Sequence, residues 1–477
     1  SFVNIAKPDN AKEFCKSELA QHLFSSYQSL KAGYETYPDK FLLIEYNDLV
    51  NDTQTQMNRI SDFVGLDHFT HDLNNIPDSK EQDEAGGIKD LHKVYPVVKS
   101  QGLDAREVLG EKLFNYYQGG EFWTGKPEPK KEPQLLDIQL KAGLEGDFKK
   151  GWEIAQQLEK EHPNDDRAAF NRGWYLLSQG KLQEGHKLLD RGRNENVFGN
   201  RNIGTIKPIW NGYNKEVVLL NLEGGLGDQI HGARWAKDIS LKGCKVIVSC
   251  SPELVPVLKN VKGINAIVQH EAALGVYHDS WVPSMSGVVP LNYEYEDLKG
   301  DSYIPKPQVK PNNKIRIGLC WKGNPNFEHE QHREFPSKLL FDAVKNTDAE
   351  FISLQKGEGE DKRPDWVEKV SLDTWEDTCK ALASCDLVIT SCTSVAHLSG
   401  AMGVKTWVII PILSYYLWAL PKEKTPYYNS FTLFRQEKYG DWVAPFERIK
   451  EELKKECEVH ALGINIGKDN KGEILKT

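Results

Sequence analysis

The stretch VVLLNLEGGLGDQIHGAR, residues 217–234, joins a short apolar run to a segment with helical patterning. The run 217–220 predicts a buried strand, and the segment 228–242 predicts a helix. The glycines between them predict a tight strand-to-helix turn, a geometry that brings backbone close to a ligand. Alone, the same turn is also an ordinary α/β connection, so the rest of the chain has to decide between these two interpretations.

Length and charge limit what the chain can be. Its 477 residues predict two to four domains. With 69 acids against 60 bases and a net charge of -9, nucleic acid and anionic membranes are not expected as partners. The longest apolar stretch, WVIIPILSYYLWAL, contains a proline and is too short for a membrane span. We also find no apolar core of signal-peptide type at the N-terminus, and we expect a soluble, cytoplasmic protein.

The cysteines and histidines do not form a metal motif. Eight cysteines are scattered without a C-x-x-C pair, which is typical of buried thiols in a reducing compartment. The sequence HEQH, residues 329–332, lacks the histidine spacing of a helical zinc site, and we interpret it as a solvated loop. We therefore expect no metal and no other cofactor.

After residue 207, seven apolar runs alternate with helical patterns, and each run has the length of a buried strand. These runs are VVLLNL, KVIVSC, NAIVQ, KIRIGLCW, EFISLQ, DLVIT and TWVIIP. The alternation predicts an α/β fold with parallel sheets. The sequence PKPQVKPNNK, residues 305–314, separates two predicted doubly wound units, 207–308 and 313–456, with a cleft facing the carboxyl ends of both sheets.

The sequence DLVITSCTSVAHLSGAMG, residues 386–403, carries a second strand-to-helix turn. The strand is predicted to end at about Thr390 and the helix to begin near Ser394. The hydroxyls of Thr393 and Ser394 and the N–H groups of the first turn then lie at the positive end of a helix dipole, where a diphosphate binds readily. The alternative is that these two residues only cap the helix.

The first 125 residues alternate amphipathic helix patterns with one predicted strand, KFLLIEY, and end at an exposed linker, TGKPEPKKEP. The sequences FLLIEYNDLVNDTQTQMNRISDFVGL and GGIKDLHKVYPVV resemble the C-terminal half of a sulfotransferase. Nothing in residues 1–40 matches the phosphate loop of that family. We expect either a structural remnant or a segment whose donor-binding half lies upstream.

Residues 133–200 contain a repeat of helix, glycine turn and helix. Gly146 and Gly180 mark the two turns. Small residues at Gly151, Gly173 and Gly185 are expected where helices approach closely. The pattern resembles tetratricopeptide repeats (TPR), but two repeats cannot bury a solenoid core alone. The pair is expected to pack on a neighbour, as a rigid spacer or as a grip for an acceptor.

Seven motifs resemble, in order and spacing, bacterial glycosyltransferases linked to tetratricopeptide repeats and related to O-GlcNAc transferase and the heptosyltransferases. They are PIWNG, GGLGDQIHGARWA, GLCWKGNP, HREFP, SLQKG, VITSCTSVAHLSGAMG and TPYYNSFTLFRQ. The resemblance implies a GT-B fold of two Rossmann-like domains and a metal-independent inverting glycosyltransferase. It implies a nucleotide-sugar donor and a glycan, lipid or protein acceptor.

The resemblance assigns Asp228 as the base that deprotonates the acceptor, with helix capping as the alternative role. Donor-binding candidates are Gly225, Gly227, Lys322, Asn324, Arg333, Gln355, Lys356, Thr393, Ser394 and His397. Relatives usually carry a small residue at Lys322 and commonly an aspartate at Cys392. Two alternative functions remain: an inactive nucleotide-binding or scaffold protein, and a sulfotransferase completed by an upstream half.

Overall fold

The chain divides into two units, Ser1–Glu132 and Pro133–Thr477. The computed structural model describes residues 37–76, 135–195, 205–310, 314–325 and 330–469, together with short stretches before and between them. The side chains of residues 461–469 are not among those described. The sequence GGIKDLHKVYPVV, which resembles a sulfotransferase, lies outside the described residues up to position 95.

In the first unit, two helices occupy Tyr46–Asn51 and Thr53–Val64, and Gly65 ends the second with a left-handed backbone, φ +74°. The prediction of a strand at KFLLIEY is wrong, because residues 41–45 form neither strand nor helix. A strand needs a partner for its backbone hydrogen bonds, and the described part of this unit contains no other strand.

Four helices follow in the second unit, at Leu135–Leu144, Phe148–Glu161, Asp166–Ser178 and Leu182–Leu189. A 3-10 turn, Asp190–Glu195, comes after them. We call this whole region, Leu135 to Glu195, the helical segment. Its close approaches fall where the sequence predicts them: a Cβ added to Gly173 would lie 2.7 Å from the carbonyl oxygen of Gly185.

A first sheet has four parallel strands in the order β3-β2-β1-β4. The strands are β1 Val217–Asn221, β2 Lys245–Cys250, β3 Ile264–Gln269 and β4 Ser280–Pro283. The helices Leu226–Gly232 and Trp235–Leu241 connect β1 to β2. The predicted single helix 228–242 therefore starts two residues earlier and is interrupted after Gly232. The short helix Val255–Leu258 follows β2 in the chain, and the short helix Val288–Leu291 follows β4.

A second sheet has six parallel strands in the order β10-β9-β8-β5-β6-β7. The strands are β5 Arg316–Cys320, β6 Glu350–Ser353, β7 Glu368–Lys369, β8 Leu387–Ser391, β9 Thr406–Ile410 and β10 Phe431–Arg435. The helices of this part are Glu330–Arg333, Ser337–Val344, Trp375–Ala383, Ser394–Ala401 and Val443–Asp469.

Side chains that alternate along the second sheet enter two different cores. Ile317 and Ile389 join one core with Leu340 and Ile449, which lie on two helices. Val388 joins the other core, which contains residues of the helices Trp375–Ala383 and Ser394–Ala401 and also of the first sheet. Helices therefore cover both faces of the second sheet, as a parallel sheet requires.

All seven predicted strands are present and parallel, so the α/β prediction is confirmed. Three strands were not predicted. β4 has only four residues and ends in proline, β7 has two residues, and β10 is an edge strand within a motif quoted for its family resemblance.

Candidate functional site

The order of strands creates a switch point in each sheet. In the first sheet the chain moves from β1 to β2 and β3 and then returns to the other side of β1 with β4. In the second it moves from β5 to β6 and β7 and returns beside β5 with β8. Ligands of parallel α/β sheets bind outside the carboxyl ends of the strands at such points. The segments after β1, β5 and β8 hold most of the predicted site residues.

Asp228 lies in the turn after β1. It is the third residue of the helix Leu226–Gly232, which we call the Asp228 helix, and Gly225 is the N-cap. The N–H of Gly225 donates to Oδ2 of Asp228 at 3.0 Å. Gly224 has φ +73°, and a Cβ there would lie 2.7 Å from Oδ2, so this position requires glycine. Asp228 is therefore not the N-cap residue. It caps the helix from the third position, where its carboxylate accepts the N–H of the N-cap residue Gly225.

Asp228 is partly exposed as a residue, and protein groups surround its carboxyl. Burial raises the pKa of Asp228 to about 6. Hydrogen bonds from Gly225 and the Tyr415 hydroxyl, and the charge of Arg333, act in the opposite direction. The charge of Glu223 adds to the rise. The positive end of the helix dipole favours the ionised form of Asp228. Desolvation outweighs it, and the pKa moves towards that of a base that works near neutral pH.

A second helix N-terminus lies directly beside the Asp228 helix. The helix Ser394–Ala401, which we call the His397 helix, has Thr393 as its N-cap, without a side-chain capping bond. A Cβ added to Gly227 would lie 3.2 Å from Cα of Ser394 and 3.0 Å from Cδ2 of His397. Glycine at this position lets the two helix starts approach. The N–H groups of Ser394 and Val395 have no partner within their own helix, so they are available to an anion.

Arg333 brings positive charge to the same place. Its Nη1 donates to the carbonyl oxygen of Cys392 at 2.9 Å, and its Nε donates to Oε2 of Glu330 at 2.5 Å. Its charge also lowers the pKa of Asp228 and of His397. Arg333 thus bonds a backbone carbonyl at Cys392 and a side-chain carboxylate at Glu330.

Glu330 was not predicted as a site residue. It is buried, and its Oε1 accepts the N–H of Gly323 at 3.0 Å. The interpretation of HEQH as a solvated loop is wrong for residues 330–332. They form the helix Glu330–Arg333, in which Nδ1 of His332 lies 3.1 Å from the hydroxyl of Tyr439. Ion pairing of Glu330 with Arg333 is the physical reason, since it stabilises this turn against the loop.

His397 is buried, and its ring stacks on Trp418 with a centroid distance of 5.5 Å. Its Nδ1 lies 3.0 Å from the hydroxyl of Tyr428, and Nδ1 of His231 lies 3.2 Å from the same oxygen. Burial lowers the pKa of His397 to about 3, and the charges of Arg234 and Arg333 act in the same direction. The ring is therefore neutral, and Tyr428 links the Asp228 helix to the His397 helix.

Four other predicted residues lie after β5 and β6. Nζ of Lys322 pairs with Glu358 at 2.5 Å and with Glu334 at 3.2 Å. Asn324 is exposed. Nζ of Lys356 donates to the carbonyl oxygens of Leu372 and Asp373, at 2.7 and 3.0 Å.

Gln355 is the fourth, and it is buried. Its Oε1 accepts the N–H groups of Trp321 and Lys322, at 3.0 and 2.9 Å. Its Nε2 donates to the carbonyl oxygens of Lys322 and Glu358. These four bonds use the hydrogen-bonding capacity of the amide. Gln355 therefore fixes the backbone after β5, and contact of Gln355 or Lys356 with a nucleotide stays a prediction.

A cavity of about 310 Å³ lies beyond the carboxyl ends of β6 and β7. Most of its lining is polar or charged, from Gln355, Lys356, Glu360, Lys369, Ser371 and Asp373, and Val370 and Leu372 complete it. Since Gln355 also binds the backbone after β5, the cavity adjoins the switch point of the second sheet.

Glu223, in the turn before Asp228, was also not predicted. Its carboxylate is buried, pairs with Arg193 of the helical segment, and accepts the N–H of Met285 at 3.1 Å. Arg193 also bonds Asp190 and, at 3.0 Å, the hydroxyl of Ser286. The sequence shows only an acidic residue in a predicted strand-to-helix turn, and the partner of Glu223, Arg193, lies 30 residues earlier in the chain.

Within the described residues, no group of three or more histidine, cysteine or acidic side chains is arranged to hold a metal ion. The seven cysteines that the structure describes are free thiols. No described helix is long and apolar enough to cross a membrane.

No protein-family model matches the sequence, and a search of curated proteins found no match. Three similar solved structures are glycosyltransferases. ADP-heptose lipopolysaccharide heptosyltransferase II of E. coli has 12% identity and a TM-score of 0.37, over 50% of this chain and 99% of that chain. A family 9 glycosyltransferase of Veillonella parvula has 10% identity and a TM-score of 0.39, over 53% and 99%. The iron-containing dodecameric glycosyltransferase TibC of enterotoxigenic E. coli has 12% identity and a TM-score of 0.35, over 55% and 77%.

Proposed function

We propose that this protein is a metal-independent inverting glycosyltransferase of the GT-B type, which transfers a sugar from a nucleotide-sugar to a hydroxyl group of a glycan, lipid or protein. One observation carries the proposal. A carboxyl with a pKa of about 6, Asp228, lies at the switch point of one parallel sheet, close to the helix start and the arginine at the switch point of the other. We assign the two GT-B halves to residues 207–308 and 313–456.

Asp228 is the proposed base. The acceptor oxygen attacks the anomeric carbon as the bond from that carbon to the phosphate oxygen breaks, and the hydroxyl proton passes to the Asp228 carboxylate. The electron pair of the broken bond leaves with the nucleoside diphosphate. Attack from the face opposite the leaving group inverts the configuration. A base with a pKa near the working pH is suited to this proton transfer.

The leaving diphosphate needs positive charge that is fixed in place before the reaction. Arg333 and the N–H groups at the start of the His397 helix supply it, and the hydroxyls of Thr393 and Ser394 lie at the same turn. Because these groups can take the role of a divalent cation, the proposal needs no metal. The polar cavity beside Gln355 is the proposed place for the nucleoside.

The test is a thermal-shift panel of ADP, UDP and GDP and their common sugar conjugates, followed by hydrolysis of any conjugate that binds. A ligand at a hundred times its dissociation constant adds about 2.7 kcal/mol to stability. We expect one nucleotide family to bind and its sugar to be released slowly into water. Binding without release supports the inactive nucleotide-binding alternative. Stabilisation by 3′-phosphoadenosine 5′-phosphosulfate and by no nucleotide-sugar supports the sulfotransferase alternative.

A further inference from the structure

The loop after β9 lies between the helical segment and Asp228. The indole Nε1 of Trp174 donates to the carbonyl oxygen of Ser414 at 2.8 Å. A Cβ added to Gly143 would lie 3.3 Å from Cδ1 of Leu413, and one added to Gly146 would lie 3.0 Å from Cδ1 of Ile412. The helices therefore contact the backbone and the apolar side chains of this loop, residues 412–418.

Tyr415 and Tyr416, the next two residues of the loop, also take part in this packing. The ring of Tyr416 makes edge contacts with His186 and Phe198, at centroid distances of 5.5 and 5.3 Å. The rings of Tyr415 and Tyr416 are 4.6 Å apart. Because Tyr416 is fixed against the helical segment, the neighbouring ring of Tyr415 is held on the side of the site.

Tyr415 ends this chain of contacts at Asp228. The loop reaches the Asp228 helix, because Trp418 stacks on His397 and Cδ2 of His397 would lie 3.0 Å from a Cβ added to Gly227. The Tyr415 hydroxyl acts on the Asp228 carboxyl as a hydrogen-bond donor and lowers the pKa of that carboxyl. Burial, and then the charge of Asp228, raise the pKa of Tyr415 well above its ordinary value. The hydroxyl therefore stays protonated and donates its hydrogen to the carboxylate.

The helical segment contacts the other side of the Asp228 turn as well. Arg193 pairs with the buried carboxylate of Glu223, which precedes Asp228 by five residues. The titratable and charged groups that act on Asp228 are thus Glu223 in its own turn, Tyr415 and Tyr416 in the loop, and Arg333 from the second sheet. Of these four side chains, Glu223 and Tyr416 contact the helical segment directly. Tyr415 is held in place through its contact with Tyr416.

We propose that the helical segment is a positioning part of the site, in which Trp174 fixes the loop 412–418 so that the Tyr415 hydroxyl orients the Asp228 carboxylate. Tyr415 is a positioning residue, because it acts through Asp228. The proposal depends on the proposed function only in giving Asp228 the role of base. The hydrogen bonds and packing can be tested without any substrate.

The test compares Tyr415→Phe and Trp174→Phe with two controls. Tyr213→Phe removes a hydroxyl from a residue that is 80% exposed, and Trp152→Phe changes a tryptophan that contacts Arg172 on the helical segment. The titration of Asp228 is followed by NMR with aspartate labelled at its carboxyl carbon, and its signal is assigned by loss in Asp228→Asn. Hydrogen exchange is measured by mass spectrometry for peptides that cover residues 412–418.

We expect Tyr415→Phe to raise the titration midpoint of Asp228 by about one pH unit, because a hydrogen bond that stabilises the carboxylate is lost. Trp174→Phe should raise it in the same direction and speed exchange of the loop about tenfold, as expected for the loss of one hydrogen bond. Both controls should behave as wild type. An unchanged midpoint in both variants, with wild-type exchange of the loop, overturns the proposal.

The outcomes for the two proposals are separable. If no nucleotide or nucleotide-sugar binds while the midpoint and exchange shift as expected, glycosyl transfer is refuted and the positioning role stands. If donor hydrolysis is found, its acid limb should move to higher pH in Tyr415→Phe. Hydrolysis whose pH profile is unchanged in that variant refutes the positioning role and leaves the enzyme assignment intact.

Discussion

The N–H of Gly225 donates a 3.0 Å hydrogen bond to Oδ2 of Asp228, three residues further along the chain. This bond is a capping interaction, so it agrees with the purely structural role of Asp228. The same carboxyl has a pKa raised to about 6 by burial, which capping does not require. A capping role and a role as base therefore predict different effects of Asp228→Asn.

Asp228→Asn should reduce transfer or donor hydrolysis by a factor of roughly 10² to 10⁴ and leave donor affinity nearly unchanged. An amide keeps the size of the side chain and can accept the bond from Gly225, but it cannot take up the proton. A single-turnover rate and a binding isotherm on the same preparation check this. Normal turnover in a folded variant would contradict the base assignment.

The stability of Asp228→Asn should depend on pH. The folded pKa, about 6, lies above the ordinary value of 3.8, so the wild type loses stability as pH rises from about 4 to 6 and Asp228 ionises. The size of this loss is on the order of 1–3 kcal/mol. The variant does not ionise, and it should melt higher than wild type at pH 7.5 but not at pH 4. Equal differences at both pH values would show that burial does not disfavour the carboxylate.

Arg333→Gln should weaken binding of the best nucleoside diphosphate by roughly 1.5–3 kcal/mol, because a charged hydrogen bond to phosphate is lost. Glu330 would then be buried without its ion-pair partner, so Arg333→Gln should be combined with Glu330→Gln to limit unfolding. Arg316→Gln is a matched control, since Arg316 pairs with Glu350 and Glu368 at the opposite end of β5. Calorimetric titration measures the difference, and wild-type affinity in the double variant would exclude Arg333 from the site.

Lys356→Met distinguishes a structural lysine from a phosphate contact. Its ammonium donates to two backbone carbonyls and its side chain also lines the proposed nucleoside cavity, so we expect a stability loss of roughly 1 kcal/mol and a loss of nucleotide affinity of about two- to fourfold. Lys345→Met, on an exposed ion pair with Asp342, is the control for removal of a surface charge. A tenfold loss of nucleotide affinity with unchanged stability would instead identify Lys356 as a donor contact.

The sequence was most informative where structure is determined locally. Runs such as DLVIT form buried strands because their apolar side chains fit a sheet covered on both faces. The helix at Thr393 and Ser394 begins as predicted. KFLLIEY is also an apolar run, yet it forms no strand. Strand formation depends on a pairing partner, which a single run of residues does not specify.

The environment of Asp228 depends on distant parts of the chain. Tyr415 and Arg193 reach the Asp228 turn from a loop and a helical turn that are remote in sequence, and neither belongs to a recognisable motif. Gln355 and Lys356 were predicted from their motif, but the contacts of their side chains are set by backbone geometry after β5 and around residue 372. Residue type alone does not indicate which hydrogen-bonding groups a neighbouring loop will offer.

His186 gives the last prediction. It is buried in the helical segment beside Phe198 and Tyr416, and its two ring nitrogens have no hydrogen-bond partner. Burial lowers its pKa to about 3, and the charge of Arg193 acts in the same direction. Since the ordinary pKa is 6.5, the stability contributed by the neutral ring is complete above that pH and is lost as pH falls towards 3. The loss between pH 7 and pH 5 is on the order of 2 kcal/mol.

His186→Phe should therefore stabilise the protein at both pH values, because unpaired buried nitrogens are removed, and more strongly at pH 5 than at pH 7. His231 and His397, whose pKa values are also lowered by burial, leave part of the acid sensitivity in place. Melting temperatures at the two pH values measure the effect, and His68→Phe, an exposed histidine paired with Asp62, is the control. A variant whose stability change is the same at pH 5 and pH 7 would mean that His186 does not resist protonation in the folded protein.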